Sequence, residues 1–473
     1  MKLIRILWVK RPIFQTRNRR APLSETGVKN NMRMNLSEVY SLFGARFKDN
    51  DVPVKGVTAD TRNIKKGFIF FAIKGEKNDG HLFAAEAVKK GALVCVTEKK
   101  IKGLPCIVVP DTKEAIMNLG RYYAAKFNNL KAAAITGSNG KTTTKELLAD
   151  FLQEAYVTRK NEKSFNNYLG VPLTLFGLDN KTQALVLEMG MNHKGEIIKL
   201  ARLAPLDAVI ITNIGRAHIG NMGSRDAIAG AKAEIFEGLK KGGTAVLNGD
   251  DGYFKFLSAK AGHKVVSFGT GLKADYRISS VKESVSGTKF SLNGIKMDTK
   301  LKGIHNIYNI AAAAAAAGVL GVDLKKVKKA LKTFSMRGLM RFEEIKVKGA
   351  SVINDSYNAN PDSYAASLMA LKQMKRKNLV IVSGDMLELG KNSRAMHTET
   401  GAKIAQIKPS ALLIYGEFAR DVEKGYLKSG GKAKPECFTD LQQLKKALMP
   451  CLKKGNTVFL KGSRGNKLEE LIK

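Results

Sequence analysis

Residues 132 to 144 read Ala-Ala-Ala-Ile-Thr-Gly-Ser-Asn-Gly-Lys-Thr-Thr-Thr. An apolar strand that runs through a glycine-bounded turn into a helix gathers backbone N–H groups and a helix N-terminus at one point, which suits a phosphate. Here Gly137, Ser138, Asn139 and Gly140 make the turn, and Lys141 is placed to neutralise β and γ oxygens. Thr142 offers a hydroxyl to Mg2+, and Thr143 follows it into the helix. Only two residues separate Gly137 from Gly140, where the general nucleotide loop has four, so this is a shortened form.

Other residues could act on a phosphate held there. Strand Ala184 to Leu187 delivers Glu188 at its end, and the next strand delivers the run Thr212 to His218. A carboxylate and an imidazole on adjacent strand ends can hold a divalent ion on a transferring phosphoryl group. Taken singly, such a Glu is more often a helix cap and a lone His a satisfied structural group; their shared location favours the metal. Lys232 stands on a mostly apolar helical turn, Gly230 to Phe236. It is either a solvated lysine or a partly buried one whose lowered pKa lets it take up CO2 as a carbamate that ligates or orients Mg2+. The sequence leaves both open. Asn306 and Asn309 share a helix face, where an amide matches the edge of adenine, although Asn306 could equally cap the helix. Arg341 could reach phosphates from another unit, and Asp355 could bond ribose hydroxyls; turn chemistry alone accounts for Asn360-Pro361-Asp362.

Positioning these groups takes more than one hydrophobic core, and a chain of 473 residues with 44% apolar content can build two or three. The pattern is α/β throughout. A small α/β unit is expected over 34–130, with strand Phe68 to Ile73 and a helix Ala84 to Lys90 capped at Gly91. Over 131–335 strands alternate with helices, so a central, mostly parallel sheet wrapped by helices is expected, with hairpins over Ser280 to Leu301 and a buried alanine-rich helix from Ile304 to Leu320. A third, Rossmann-like α/β unit is expected over 336–473, with its polar residues at strand C-terminal ends.

Residues 1–33 stand apart, with nine Lys and Arg against the single acid Glu25, and read as a basic extension without regular structure. A start codon placed too far upstream explains them better than a targeting peptide, because no small-residue cleavage pattern follows the apolar segment Leu3 to Val9. Four scattered cysteines fit a reducing compartment. No apolar run reaches the roughly 20 residues needed to span a bilayer. A cytoplasmic monomer, not an integral membrane protein, is expected. The net charge of +38 suggests anionic partners. Nucleic acid is not expected among them: the basic residues are spread along the chain without interleaved aromatics, and Leu187-Glu188-Met189-Gly190 stands where a Walker-type acidic strand would end.

Together the Gly-x-x-Gly-Lys-Thr-Thr loop, the Glu188 and His218 strand ends, Ala231-Lys232-x-x-Ile235, His305-Asn306-x-x-Asn309 and Arg341-x-Glu343 resemble the Mur ligase family over nearly everything after Met34. Asn161 to Leu175, Asn354 to Pro361 and Gly384 to Gly390 with His397 are most similar to the branch that couples D-alanyl-D-alanine to UDP-N-acetylmuramoyl-tripeptide. The resemblance implies three domains, the cofactors ATP and Mg2+, and those two molecules as partners. It implies that residues Gly137 to Thr143 bind ATP phosphates, that Thr142, Glu188 and His218 surround Mg2+, and that Lys232 sits at the position carbamylated in relatives. It implies Asn306 and Asn309 on the adenine side, Arg341 and Asp355 closing from the third domain, and Lys141, His218 and Lys232 as catalytic groups. Asp60-Thr61-Arg62 and Asp79-Gly80-His81 are similar to a UDP-binding domain; Thr61, Arg62, Asn166 and Asn167 are the implied substrate contacts.

Overall fold

A computed structural model describes residues 32–75, 78–162, 164–284 and 287–473. Residues 1–31, which make up nearly all of the expected extension, lie outside it, and Met32 is already buried in a core with Met34, Val54 and Ile69. The described strands form three sheets. The first is fully parallel and runs in chain order: β1 (Gly56–Thr58), β2 (Phe68–Phe71), β3 (Ala92–Thr97) and β4 (Cys106–Val108). Its helix Ala84–Lys89 ends as the sequence predicts, with Gly91 at φ +100°, a conformation that a side chain would oppose.

The central sheet comprises β5 (Lys131–Thr136), β6 (Thr158–Lys160), β7 (Ala184–Glu188), β8 (Leu206–Ile211), β9 (Leu239–Asn248), β10 (Lys264–Gly269), β11 (Tyr276–Ser284), β12 (Gly287–Leu292) and β13 (Ile295–Thr299). Its order is 13-12-11-10-9-8-5-7-6, parallel apart from the antiparallel β11–β12–β13 edge. β5 lies between β7 and β8, so Ile135 is in register with Glu188 and Thr136 with Ile211. Both faces of β5 are covered. Ala132 and Ala134 belong to a core shared with the first sheet, while Ala133 and Ile135 belong to the core under the helices Lys141–Leu152 and Ile304–Val319. This alternation is what a buried parallel strand requires. Ala311 to Ala317 are wholly buried, and their small side chains let the second helix lie close against the first.

The third sheet contains β14 (Glu343–Val347), β15 (Ala350–Asp355), β16 (Leu379–Gly384), β17 (Ala411–Tyr415), β18 (Pro435–Phe438) and β19 (Thr457–Lys461) in the order 14-15-19-16-17-18. Only β14 runs against its neighbour. The loops after β5, β8 and β15, with Lys461 at the end of β19, line one cavity of about 880 Å3 between the central and third units. No helix among the described residues is long and apolar enough to cross a membrane.

Tyr123 sets where the first unit sits on the central one. Its ring lies in the shared core against Phe127 and Phe176, and its hydroxyl donates to the Leu178 carbonyl at 2.8 Å. Tyr123→Phe removes the donor and strands a buried acceptor, which should cost about 1–2 kcal/mol, read as a lower urea midpoint at unchanged m-value.

Candidate active site

The turn after β5 is shaped by two close approaches. Gly137 has φ +148°, and a Cβ there would lie 1.9 Å from Thr212 Oγ1; Gly140 has φ +81°, and its Cβ would lie 2.2 Å from Asn309 Oδ1. Neither position admits a side chain. Hydrogen bonds from backbone N–H groups then tie the turn to the segment after β8: Ser138 N donates to the Asn213 carbonyl at 3.0 Å, Asn139 N to Asn213 Oδ1 at 3.0 Å, and Gly215 N to Ser138 Oγ at 2.8 Å. Gly140 is the N-cap of the helix Lys141–Leu152 and has no side chain with which to cap it. The first-turn N–H groups of Lys141, Thr142 and Thr143, all lining the cavity, are therefore free of intrahelical partners.

Lys141 folds its ammonium back onto the Gly137 and Ser138 carbonyls at 2.8 and 3.4 Å. Burial pushes its pKa down, while Glu188 and Glu388 oppose that shift and Arg341 adds to it. One lysine thus lies within electrostatic reach of the end of β7 and of the third unit. Lys232 is 1% exposed, and burial, with the nearby Lys141 charge, drives its pKa well below the ordinary lysine value. No carboxylate among the described residues pairs with it. Of the two readings left open by sequence, the solvated one is excluded.

Glu188 is wholly enclosed. Its Oε1 accepts from Asn166 Nδ2 at 2.8 Å; its backbone N donates to Asn161 Oδ1 at 2.8 Å, and its carbonyl accepts from Asn161 Nδ2 at 2.9 Å. Glu188 Oε2 and Thr142 Oγ1 are both buried without a hydrogen-bond partner. Such orphaned oxygens are costly unless a cation or donor completes them. His218 has φ +62° and lies in the cavity wall, with Nδ1 2.7 Å from Glu388 Oε2. No cluster of three or more His, Cys, Asp or Glu suited to a metal occurs among the described residues. A hydroxyl, one carboxylate and one imidazole fit Mg2+, which keeps much of its coordination for water and phosphate oxygens.

Asn306 and Asn309 line the cavity, but their side chains also serve the fold. Asn306 Nδ2 donates to the Lys302 carbonyl at 2.8 Å, Asn309 Nδ2 to Asn306 Oδ1 at 3.3 Å, and Asn309 Oδ1 accepts from Thr144 Oγ1 at 3.4 Å beneath Gly140. From the third unit, Arg341 lies over the Tyr357 ring at 4.2 Å, with its buried Nε unpartnered. Both Asp355 oxygens are engaged within that unit: Oδ1 accepts from Phe342 N at 3.1 Å, and Oδ2 accepts from Ser367 Oγ at 2.6 Å and Lys461 Nζ at 2.5 Å. Asn167 Oδ1 accepts from Leu169 N and Gly170 N and so starts the helix Gly170–Leu175. Thr61 and Arg62 sit beyond β1, remote in the chain from the cavity walls. Arg62 grips Asp60 through Nε and Nη2 and leaves Nη1 for another acceptor.

Several site residues were not singled out by sequence. Lys461, at the end of β19, is buried against Asp355 in the cavity wall. Asn360 caps its helix, as turn chemistry predicts, and also donates to Asn139 Oδ1 across the gap at 2.7 Å. Asp362 accepts from Arg216 N and Nε at 2.6 and 2.9 Å, and Arg216 also reaches Glu399. Glu388 and Asn161 fell inside stretches recognised only as family-like. Nothing local in a strand-end lysine or an aspartate in a helix's first turn marks it as facing another unit.

Three family models match the chain: Mur ligase family, catalytic domain, over residues 53–121; Mur ligase middle domain over 135–317; and Mur ligase, glutamate ligase domain over 340–464. The UDP-N-acetylmuramoyl-tripeptide–D-alanyl-D-alanine ligase of Bacillus subtilis is 37% identical over 89% of this chain and 93% of its own. The enzyme of the same name from Escherichia coli is 30% identical over 93% and 97%. Among solved structures, a MurF from Acinetobacter baumannii superposes with a TM-score of 0.84 at 30% identity, covering 92% of this chain and 97% of its own. MurF from Thermotoga maritima in complex with ADP superposes with a TM-score of 0.77 at 26% identity, covering 88% and 96%.

The geometry of the turn makes a direct prediction. Gly137→Ala places a methyl against the buried Thr212 hydroxyl at a positive φ, so it should weaken ADP binding about tenfold or more and also lower the melting temperature, as read by calorimetric titration and thermal unfolding. Unchanged ADP affinity would remove the turn from the nucleotide site.

Proposed function

The chain belongs to the Mur ligase family, and on that premise we propose that it joins D-alanyl-D-alanine to UDP-N-acetylmuramoyl-tripeptide, converting ATP to ADP and phosphate, in peptidoglycan precursor synthesis. The observation that carries this reading is a side-chain-free phosphate turn, with Lys141 and the orphaned Thr142 hydroxyl lining one two-unit cavity and the orphaned Glu188 carboxylate within electrostatic reach of Lys141. Relatives bearing that name match along about nine-tenths of both chains.

A carboxylate is a poor acyl donor to an amine until it is phosphorylated, so the protein must hold its anions together and keep water out. The N–H groups after Gly140 and the Lys141 ammonium meet the charge of the β and γ phosphates and of the phosphoryl group in flight. Thr142, Glu188 and His218 would hold Mg2+, which when bound offsets charge on the transferring group. Asn166 and Asn161 act through Glu188, fixing the carboxylate and its backbone. Asn306, Asn309, Arg341 and Asp355 border the adenosine side of the same cavity. In the first unit, Thr61 and the free Nη1 of Arg62 are offered to the uridine diphosphate. The same reading takes the protein as a cytoplasmic monomer, working where UDP-linked precursors and ATP are both present.

Phosphate release should require ATP, the UDP-linked tripeptide and D-alanyl-D-alanine together, and should not respond to DNA. Lys141→Ala should lower kcat by about 10²–10³-fold while leaving the affinity for the UDP-linked substrate within about twofold. Equal losses in both would defeat this division of labour.

Lys232 generates a separate prediction. Burial lowers the pKa of this amine and so favours its neutral form, which can add CO2 with loss of a proton to give a carbamate whose negative charge offsets the nearby Lys141. NMR with 13C-bicarbonate should show a carbamate resonance that disappears in Lys232→Arg. Identical spectra from the two proteins would refute the modification.

A further inference from the structure

We infer that Glu388, a carboxylate of the third unit, is the outer partner of His218, aiming the imidazole of the central unit at the metal–nucleotide site and making divalent-ion binding depend on closure of the two units. This rests on the metal site proposed above and adds to it a positioning residue from the other side of the gap.

The contact is made by a loop built for the purpose. Glu388 Oε2 lies 2.7 Å from His218 Nδ1, and the Glu388 carbonyl accepts from Gly220 N at 3.0 Å, so both side chain and backbone of one residue meet the segment that carries the imidazole. Glu388 takes φ +66°, a conformation that a residue with a side chain rarely adopts unless its surroundings impose it. The surroundings do so. Met386 N donates to the buried His397 Nε2 at 2.9 Å, and Leu387 N donates to Ser463 Oγ at 2.9 Å. Leu389 is buried in the third unit's core, against which Ile219 packs. At Gly390 an added Cβ would lie 2.9 Å from Gly220 Cα, so the two chains touch where neither has a side chain.

A histidine that ligates a metal through one ring nitrogen usually offers the other N–H to a carboxylate or carbonyl, which fixes its tautomer and orientation. Nδ1 lies within ion-pair distance of Glu388 Oε2 without a formed hydrogen bond, so a small ring rotation that makes this bond satisfies an otherwise orphaned buried nitrogen and leaves the Nε2 lone pair for the cavity that His218 lines. What is unusual is that the carboxylate belongs to a different unit. If the third unit swings away, His218 loses its orienting partner; reciprocally, an ion that needs His218 favours the closed arrangement by the same factor. The negative potential at Lys141 from both Glu188 and Glu388 agrees with two carboxylates bracketing the site. A simple closing ion pair would explain the distance, but it would leave metal affinity untouched once the nucleotide is bound.

The test uses the full chain saturated with ADP and titrated with Mn2+, read by electron paramagnetic resonance, in wild type, Glu388→Ala and Glu388→Asn. The asparagine tolerates the left-handed backbone, so it retains the loop while losing the reach of the side chain. Both variants should bind Mn2+ about tenfold or more weakly, with metal-free ADP affinity unchanged. Small-angle scattering should show a Mn2+-dependent contraction in wild type that the variants lack. Mn2+ affinity equal to wild type in both variants, or an equal loss of metal-free ADP affinity, overturns the inference. Failure of wild type to bind Mn2+ beside ADP would instead overturn the metal site on which it rests.

Discussion

An anion can be gripped after β5 only because two side chains are missing there. Gly137 and Gly140 let the backbone pass within van der Waals distance of Thr212 and Asn309, and that approach turns the first N–H groups of the following helix toward the cavity. Everything else is arranged around this point. The register of β5 with β7 and β8 sets Glu188 on one side and the His218 segment on the other. The alanine-rich helix beneath, which carries Asn309, can come close enough to support the turn because its side chains are methyl groups.

The electrostatics follow from the same crowding. Lys141 and Lys232 are two amines buried near each other, where two positive charges would be unfavourable unless anions arrive. Burial therefore does chemical work at this site: it depresses both amines and leaves oxygens on Thr142 and Glu188 unsatisfied. A site poised in this way gains more from phosphate and metal than a solvated one would, since charges interact more strongly where water is excluded.

Much of this was legible in the chain. The phosphate turn could be read because glycine spacing and a following Lys-Thr pair are local properties, Glu188 because it ends an uninterrupted apolar strand, and His218 because it closes the polar run that follows β8. The strand expected over Phe68 to Ile73 and the alanine-rich helix expected over Ile304 to Leu320 are found as Phe68–Phe71 and Ile304–Val319. The turn that carries Lys232 belongs to the helix Arg225–Ala233, which passes through a 3-10 turn and gives way at Leu239 to β9, an interior strand of the central sheet. What was not legible was long-range. Asn166, read as a substrate contact, spends one hydrogen bond on Glu188 22 residues away. Asp355, read as a ribose contact, is met by Lys461 from a strand 106 residues on. Pairings between residues far apart in the chain leave no period and no spacing in a single sequence.

The seam between the central and third units is stitched mainly by polar groups: Arg216 to Asp362 and Glu399, Asn139 to Asn360, and Lys302 to Glu344. Such groups can trade each other for water at small net cost, whereas two apolar faces would resist parting and would be sticky once parted. The third unit can therefore lift off and return many times without exposing a greasy surface, so a site that must shut out water during chemistry can still let a bulky product leave.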